Sequence, residues 1–456
     1  MNPAAETSQP RRGATLACAA LAVLGFAVCS YGFAPGIMDG DAFGIFNRRV
    51  LGERITDWHP PIFAWMWSII HRIIPGPLGL LLVIQAAYWG GLGLLGAGLV
   101  RRNYVFAGVL VVLAGAYPLA LHLTSALLKD TFVAVFFLLS VGLAVFASSV
   151  PGRWRSVLFA LAVVALFLGI AFRYNAAAGA IPLAASIAVL AGLHRRLSWA
   201  AAVTGVFAAT VLFGAVQIVN RYAIKAEPSF VIGSLYIFDL GGISYRTGRD
   251  TFDGLLGPGF VERNRTECYT PVAWAVYAWG HCKDVGPRVR REQERIGQLW
   301  RTAILAEPKA YLLHRRSHFG AVVHWKCPDC PQIGMWRGWA NNPPEYRFVA
   351  SPLYDVVERS ADPLYRTVGK PYIALTLLFL AFAIGWLRRS TLPGQLSVAV
   401  AGSGILYALS YFFVGVDSPW RYMYWTVLAA IICVPLILAI ALPRPRSAGA
   451  SPDKAP

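Results

Sequence analysis

The sequence predicts an all-α polytopic membrane protein of about ten transmembrane helices, with a mixed extracytoplasmic domain inserted between helices seven and eight. Three observations carry this. Of 456 residues, 57% are hydrophobic and only 14% charged, against roughly 25% charged in soluble domains. The deficit is concentrated: no Asp, Glu, Lys or Arg occurs in 13–38, 73–100, 103–128, 131–152, 156–172, 174–193, 197–220, 371–387, 390–416 or 422–443. Arginines then recur in pairs between these stretches. A helix crosses a bilayer with about 20 apolar residues, with a range of roughly 17–25, and each stretch reaches that range.

The formal net charge of +18 raises nucleic acid as a partner, but its placement speaks for topology. The pairs Arg11/Arg12, Arg101/Arg102, Arg153/Arg155, Arg195/Arg196, Arg388/Arg389 and Arg444/Arg446 fall in alternate gaps, and the four internal pairs have no acidic neighbour in their loops. This is the positive-inside pattern. It puts both termini in the cytoplasm, as an even number of crossings requires, and no nucleic-acid partner is expected. Residues 14–34 read as an uncleaved first helix. They have the Arg pair and apolar run of a signal peptide but no small-x-small cleavage site.

Residues 1–13 form a cytoplasmic N-terminus and 14–220 carry spans one to seven. The first outer loop, about 35–77, is long for a connector. Within it, Phe43, Phe46 and Val50 share one helical face, as do Trp65, Ile69 and Ile73. Neither segment is long enough to span, so both are read as interfacial helices. Residues 221–370 form a polar segment rich in Trp, Tyr, Pro and Arg, long enough for its own core. Spans eight to ten occupy 371–443, and the Pro/Ser/Ala-rich tail 444–456 is expected to be disordered and cytoplasmic. No inverted repeat of the transporter kind is visible.

Cys18, Cys29 and Cys433 fall in apolar stretches, whereas Cys268, Cys282, Cys327 and Cys330 all fall in 221–370. An even number outside the cytoplasm suggests two disulfides, with pairing open. The rival is zinc, from the Cys327-Pro-Asp-Cys330 spacing with His281 and His324.

Ionisable residues gather at the predicted outer ends of the spans: Asp39, Asp41, Asp57 and His59, then His122, Lys129 and Asp130, then Arg173, then Asp417 and Arg421. A charge drawn into the bilayer costs at least about 2.5–3.5 kcal/mol, so such a set asks for a reason. A site handling a phosphate at the membrane surface supplies one. The plainer alternative is a helix cap with an ion pair at Lys129 and Asp130, and snorkelling by Arg173 and Arg421. In Asp57-Trp58-His59-Pro60-Pro61, the prolines would start an interfacial helix at its first turn and hold His59 just outside the membrane.

Asp41, that His-Pro-Pro loop, Lys129-Asp130, Arg173-Tyr174-Asn175 and Asp417 to Arg421-Tyr422 together resemble the GT-C superfamily of integral-membrane glycosyltransferases. Within it they are similar to the polyprenyl/dolichyl-phosphate-mannose protein mannosyltransferase-like branch, which includes bacterial enzymes decorating envelope glycans. The resemblance touches roughly the first 180 residues and the last 40. The chain departs from many relatives in placing its extramembrane domain between spans seven and eight.

The resemblance implies a polyprenyl-phosphate-linked sugar donor and a glycan, lipid or protein acceptor; the Ala- and Arg-rich usage and the topology are compatible with a bacterial inner membrane, with the large domain periplasmic. The resemblance also implies inverting transfer of a hexosyl or pentosyl group with Asp41 as general base and Asp39 in reserve. A carboxylate within reach of the acceptor hydroxyl takes its proton, and fixed cations stabilise the leaving phosphate. Lys129, Arg173, Arg421 and His59 are the candidates for holding that phosphate, with Asp57, Asp130, Asn175 and Tyr422 supporting. No cofactor is assigned; a divalent cation on Asp39 and Asp41 is left open. Trp274, Tyr277 and Trp279 are candidates for stacking on sugars or for the domain core. The rival functions are a lipid-linked glycan polymerase or ligase, a transporter or flippase, and a non-catalytic envelope protein. A transporter would place its ionisable residues near mid-membrane.

Overall fold

The computed structural model describes residues 9–325, 327, 330 and 334–442; the predicted tail 444–456 and residues 1–8 lie outside them. The chain folds as a helical bundle with a helical domain at one end. In chain order the bundle comprises α1 (Gln9–Gly32), α4 (Leu78–Arg101), α5 (Val105–Ala114), α6 (Lys129–Ala147), α7 (Arg153–Ala171), α8 (Ala176–Ala191), α9 (Trp199–Ile218), α15 (Pro371–Leu387), α16 (Leu392–Val414) and α17 (Tyr424–Ala441). The short helices α2 (Gly40–Ile45) and α3 (Pro61–Ile73) follow α1. The domain adds α10 (Gly233–Thr247), α11 (Val285–Arg291), α12 (Gln293–Ala306), α13 (Pro308–Val322) and α14 (Pro352–Arg366).

Each of the ten apolar stretches carries a helix, but they are not ten equal spans. Among the described residues, seven helices are long and apolar enough to cross a membrane by themselves. Two bent pairs bring the number to nine, and α8 has only 16 residues. The third stretch is broken: α5 ends at Ala114, and the chain turns by 61° into the short helix Pro118–Leu121. Pro118 is the cause. It lacks an N–H and forces Tyr117 into extended geometry, with ψ of 130°. The amphipathic α14 likewise meets α15 at 78°.

Helices apolar on all sides gain little from burial against lipid and pack by close backbone approach. A Cβ on Gly142 of α6 would lie 2.3 Å from the Gly91 carbonyl oxygen of α4, and one on Gly96 would lie 2.5 Å from that of Gly108 in α5. Small residues are therefore needed where α4 crosses its two neighbours.

In α3, Phe63 and Trp67 are buried while Trp65, Ile69 and Ile73 are exposed. This is the apolar outward face expected of an interfacial helix. Pro60 and Pro61 stand at its start as anticipated.

The domain corrects one expectation: it is not mixed. Among the described residues it holds helices, turns and isolated bridges, and no strand. Its own core gathers Leu240, Phe252, Phe260, Val285 and Ile296. The Cys268–Cys282 disulfide crosses this core, and Cys327 pairs with Cys330. The zinc alternative fails because the sulfurs a metal would need are bonded to one another, and no group of three ligating residues occurs among the described residues.

The domain and the first loop share one end of the bundle. Asp57 N donates to Glu227 O at 3.0 Å, Asn341 N to Met38 O at 2.7 Å, and Trp274 N to Val416 O at 2.8 Å. At the other end, Arg101 and Arg102 donate to the Ser149 and Ser148 carbonyls, and Arg155 to those of Leu190 and Ala191. These arginines neutralise the negative carbonyl ends of helices.

Candidate active site

Three segments distant in sequence meet at the domain end. The first holds α2. Asp39 caps it, its Oδ1 accepting from Ala42 N at 2.8 Å, and this sets Asp41 in the first turn. The second is the start of α6. Ile37 N donates to Ser125 O and Leu127 N to Ile37 O, both at 2.9 Å, so the strand-like residues before α6 are tied to those before α2. Lys129, first in α6, thereby comes to face Asp41. The third is the turn Trp420–Met423 before α17, anchored by Trp420 Nε1 on Gly369 O at 2.8 Å.

The charges interlock. Lys129 Nζ is 3.4 Å from Asp41 Oδ2 and 2.7 Å from His59 Nδ1. Arg421 Nη2 is 3.2 Å from the same Asp41 oxygen, while Arg421 Nη1 is ion-paired to Asp39 Oδ2. Behind them Arg173 Nε lies 2.5 Å from Asp130 Oδ1, and its guanidinium sits 3.8 Å from the Tyr422 ring centroid. Only the Asp41 side chain is substantially open, at 42% exposed against 13% for Lys129, 18% for Arg421, 15% for Arg173 and 3% for Asp130. An open carboxylate backed by two shielded cations can accept a proton on one side and leave cations for an anion on the other.

The electrostatics follow. Lys129 and Arg421 hold the Asp41 carboxyl far below the usual carboxylate range against the opposing effect of burial. Burial, and then the Lys129 charge, push His59 down to about 3. His59 is therefore neutral, and its Nδ1 accepts from the Lys129 ammonium, which can only donate. Asp417 goes the other way: burial raises it to about 6.

Asp41 and His59 line a cleft of about 970 Å³ between the first loop and the domain. Asp41 also lines a small crevice on the bundle side, with Asp39, Phe63, Leu128, Lys129 and Arg421. The carboxylate thus stands between an open cleft and a narrow crevice walled by apolar residues, the cations Lys129 and Arg421, and the carboxylates of Asp39 and Asp130.

Most of the residues singled out from the sequence converge here, but their places differ. Asp39 has each oxygen engaged, Oδ1 by Ala42 N and Oδ2 by Arg421, and its side chain is far less open than that of Asp41, which makes it the poorer candidate base. Arg173 does not line the cleft; it is turned to Asp130 and Tyr422, behind Lys129 and Arg421. Asp57 braces rather than faces the site: its Oδ1 accepts from Ser229 N at 2.7 Å and Ser229 Oγ at 2.5 Å, and Tyr174 donates to its carbonyl. Asn175 donates to Ser410 Oγ at 3.0 Å. His122 is elsewhere, buried between Tyr365 and Tyr354.

The aromatic candidates divide. Tyr277 is core, donating to Asn264 Oδ1 at 2.6 Å. Trp274 and Trp279 line the cleft, where they join Trp58 with ring centroids 5.4–6.2 Å apart.

Sequence reasoning passed over Arg48, Arg49, Arg290 and Arg291, which also line the cleft. Their signal was available, since Arg48/Arg49 is an arginine pair in a predicted outer loop, where positive-inside disfavours it. It also passed over Arg315, buried in the domain between Asp239 Oδ1 at 2.6 Å and the Gly415 carbonyl at 2.6 Å. That arginine, with Ser418 Oγ on Val272 O and His324 on Ser418 O, clamps the loop that leads into Arg421.

Comparison of the chain with protein-family models, with curated proteins and with solved structures finds no match in any of the three.

Proposed function

We propose that this protein is a membrane glycosyltransferase of the GT-C kind, moving a sugar from a polyprenyl-phosphate donor to an envelope glycan, lipid or protein acceptor. The single observation carrying the reading is the position of Asp41, the open carboxylate between the cleft and the Lys129–Arg421 cations. Under this reading the positive-inside pattern places the arginine-paired loops in the cytoplasm of a bacterial inner membrane and the domain in the periplasm. The acceptor enters through the cleft.

The chemistry follows from charge. In the donor-free state Asp41 is a weak base, because two cations stabilise its anion. A lipid phosphate seated on Lys129 and Arg421 takes over those cations. The Asp41 carboxylate then faces added negative charge and becomes more basic. Acceptor O–H attacks the anomeric carbon while Asp41 takes its proton. The glycosidic C–O bond to phosphate breaks on the opposite face, and the lipid phosphate leaves with the bond's electron pair. Its growing charge is met by fixed cations in a site shielded from water. Single displacement inverts the anomeric centre. His59, neutral and accepting from Lys129, holds that ammonium in place.

Rival functions have less support. The ionisable cluster lies at one end of the bundle rather than at its middle, against the expectation for a transporter.

The test is ligand-induced thermal stabilisation in detergent. A ligand binding only the folded state at about a hundredfold excess over its dissociation constant contributes about 2.7 kcal/mol. Polyprenyl-phosphate sugars are expected to raise the melting temperature of wild type and not of Lys129→Ala with Arg421→Ala. No response of the wild type to any lipid phosphate refutes the reading.

A further inference from the structure

The cleft has a charge and a chemistry of its own. Its lining carries four arginines, Arg48, Arg49, Arg290 and Arg291, and one acid, Asp41. Asp41 is spoken for by Lys129 and Arg421. Arg49 pairs with Glu53 at 3.4 Å. Arg48, Arg290 and Arg291 are exposed and make no ion pair among the described residues. Nearby basic residues are neutralised where a partner is at hand: Arg54 meets Glu227 at 2.8 Å, and Arg263 meets Asp284 at 2.9 Å. Arg48, Arg290 and Arg291 have no such partner among the described residues, and they sit in a concave wall that focuses their potential. The other recognisable element is the cluster of Trp58, Trp274 and Trp279. Trp279 is 66% exposed, so one large ring stands open for stacking.

We propose that this cleft binds an anionic glycan as acceptor: a saccharide bearing phosphate or carboxylate groups. Its rings pack on Trp279, backed by Trp58 and the buried Trp274, and its charges are held by Arg48, Arg290 and Arg291. The word acceptor rests on the glycosyl-transfer reading; the binding site does not. Arginine suits both anions because its planar fork meets phosphate or carboxylate with two parallel N–H donors. Aromatic faces give the sugar-ring contact that arginines cannot. A neutral glycan would use only the tryptophans, leaving three cations uncompensated in the cleft. The same cleft is lined by Asp41, so under the transfer reading the anionic groups select the acceptor while one hydroxyl meets the base.

The experiment is isothermal titration calorimetry of the full chain in detergent, with three soluble probes: a galacturonate hexamer, a phosphorylated mannose oligosaccharide and a neutral malto-hexaose. Polyprenyl-phosphate sugar is titrated into the same preparation as a separate measure of the donor site. At least one anionic probe is expected to bind tenfold or more tightly than malto-hexaose, roughly the effect of one charge-assisted contact. Its affinity should fall with salt and by a similar factor in Arg290→Gln with Arg291→Gln, and Trp279→Ala should weaken both classes. Which of the two anionic probes binds better identifies the group as phosphate or carboxylate. Equal binding of the neutral probe, anion binding untouched by the arginine variant, or no binding of either anionic probe overturns the proposal. So does a loss of anionic binding when phosphatidylglycerol is supplied in nanodiscs, which would make the arginines a lipid contact. Donor binding without anionic-glycan binding sinks this inference alone. The converse sinks the transfer reading and leaves an anion-binding cleft.

Discussion

Arg421 Nη2 lies 3.2 Å from Asp41 Oδ2, and the same guanidinium is ion-paired to Asp39, so a residue before the last span closes the site formed by the first loop, 380 positions away. The pairing divides the two aspartates. Asp39 becomes structural, and Asp41 keeps the free surface.

Of the two cations proposed to hold the donor phosphate, Lys129 is the more replaceable for folding, because it joins Asp41 and His59 through its ammonium alone. Lys129→Met is expected to insert and fold while binding donor lipid about 10- to 100-fold more weakly, the value of a charged hydrogen bond of about 1.5–3 kcal/mol. Equilibrium binding of labelled polyprenyl-phosphate sugar checks this, with Lys129→Arg retaining more affinity than Lys129→Met.

Arg173 and Asp130 form a buried pair set against Tyr422. Removing one partner strands a charge at a cost of about 3–5 kcal/mol. Arg173→Ala should therefore lower the melting temperature severely, whereas Arg173→Gln with Asp130→Asn should restore much of it. Equal loss in both variants would show that the pairing is not what matters there.

Asp417, outside the spans, is raised to about 6 by burial. Its folded form holds its proton more tightly than the unfolded chain does. Its contribution to stability is therefore full below about pH 4 and is lost as pH rises through 6. Asp417→Asn keeps the uncharged shape. The melting temperature of the variant minus that of wild type is expected to grow from pH 4 to pH 7. A flat difference across that window contradicts the burial argument. His59 works in the opposite direction, since its pKa is lowered to about 3: its contribution is present at neutral pH and lost as pH falls below its ordinary value. Taking the variant difference separates the two.

The α4–α6 crossing depends on Gly91 and Gly142. Because a Cβ on Gly142 would strike the Gly91 carbonyl, Gly142→Val should part the helices and reduce the folded fraction, by about 1–3 kcal/mol as overpacking does. Gly90→Val, where nothing lies within 4 Å of an added Cβ, is the control and should be close to neutral. Size-exclusion profiles and melting temperature report both.

Spans were legible because bilayer length and the absence of charge leave a long signal in one dimension. Where that signal failed, local chemistry had intervened: Pro118 breaks the third stretch without altering its hydropathy. The grouping of Asp41, His59, Lys129 and Arg421 was legible because charge at a membrane edge is expensive, so each such residue stands out alone. Their individual roles were not. That Asp39 is a cap and Arg173 a partner of Asp130 depends on which side chain faces which, and on backbone ties such as Ile37 to Leu127 that no local pattern records. The domain was misread as mixed because its composition, rich in Trp, Tyr, Pro and Arg, carries no clear helical period, whereas packing around Leu240, Val285 and Ile296 selects helices. Arg315 was invisible because a single arginine in a polar segment gives no sign of burial.

The most direct test of the account is Asp41→Asn, with donor binding and sugar transfer measured on the same sample. Removing a carboxylate that competes for Lys129 and Arg421 should leave donor affinity equal or higher, while transfer falls by about 10²–10⁴-fold, the usual contribution of a general base. Asparagine preserves the shape but gives up the carboxylate's pairing with Lys129 and Arg421, so the protein should still fold with a lowered melting temperature at neutral pH. Full transfer by Asp41→Asn, or loss of donor binding together with transfer, would contradict the role assigned to Asp41.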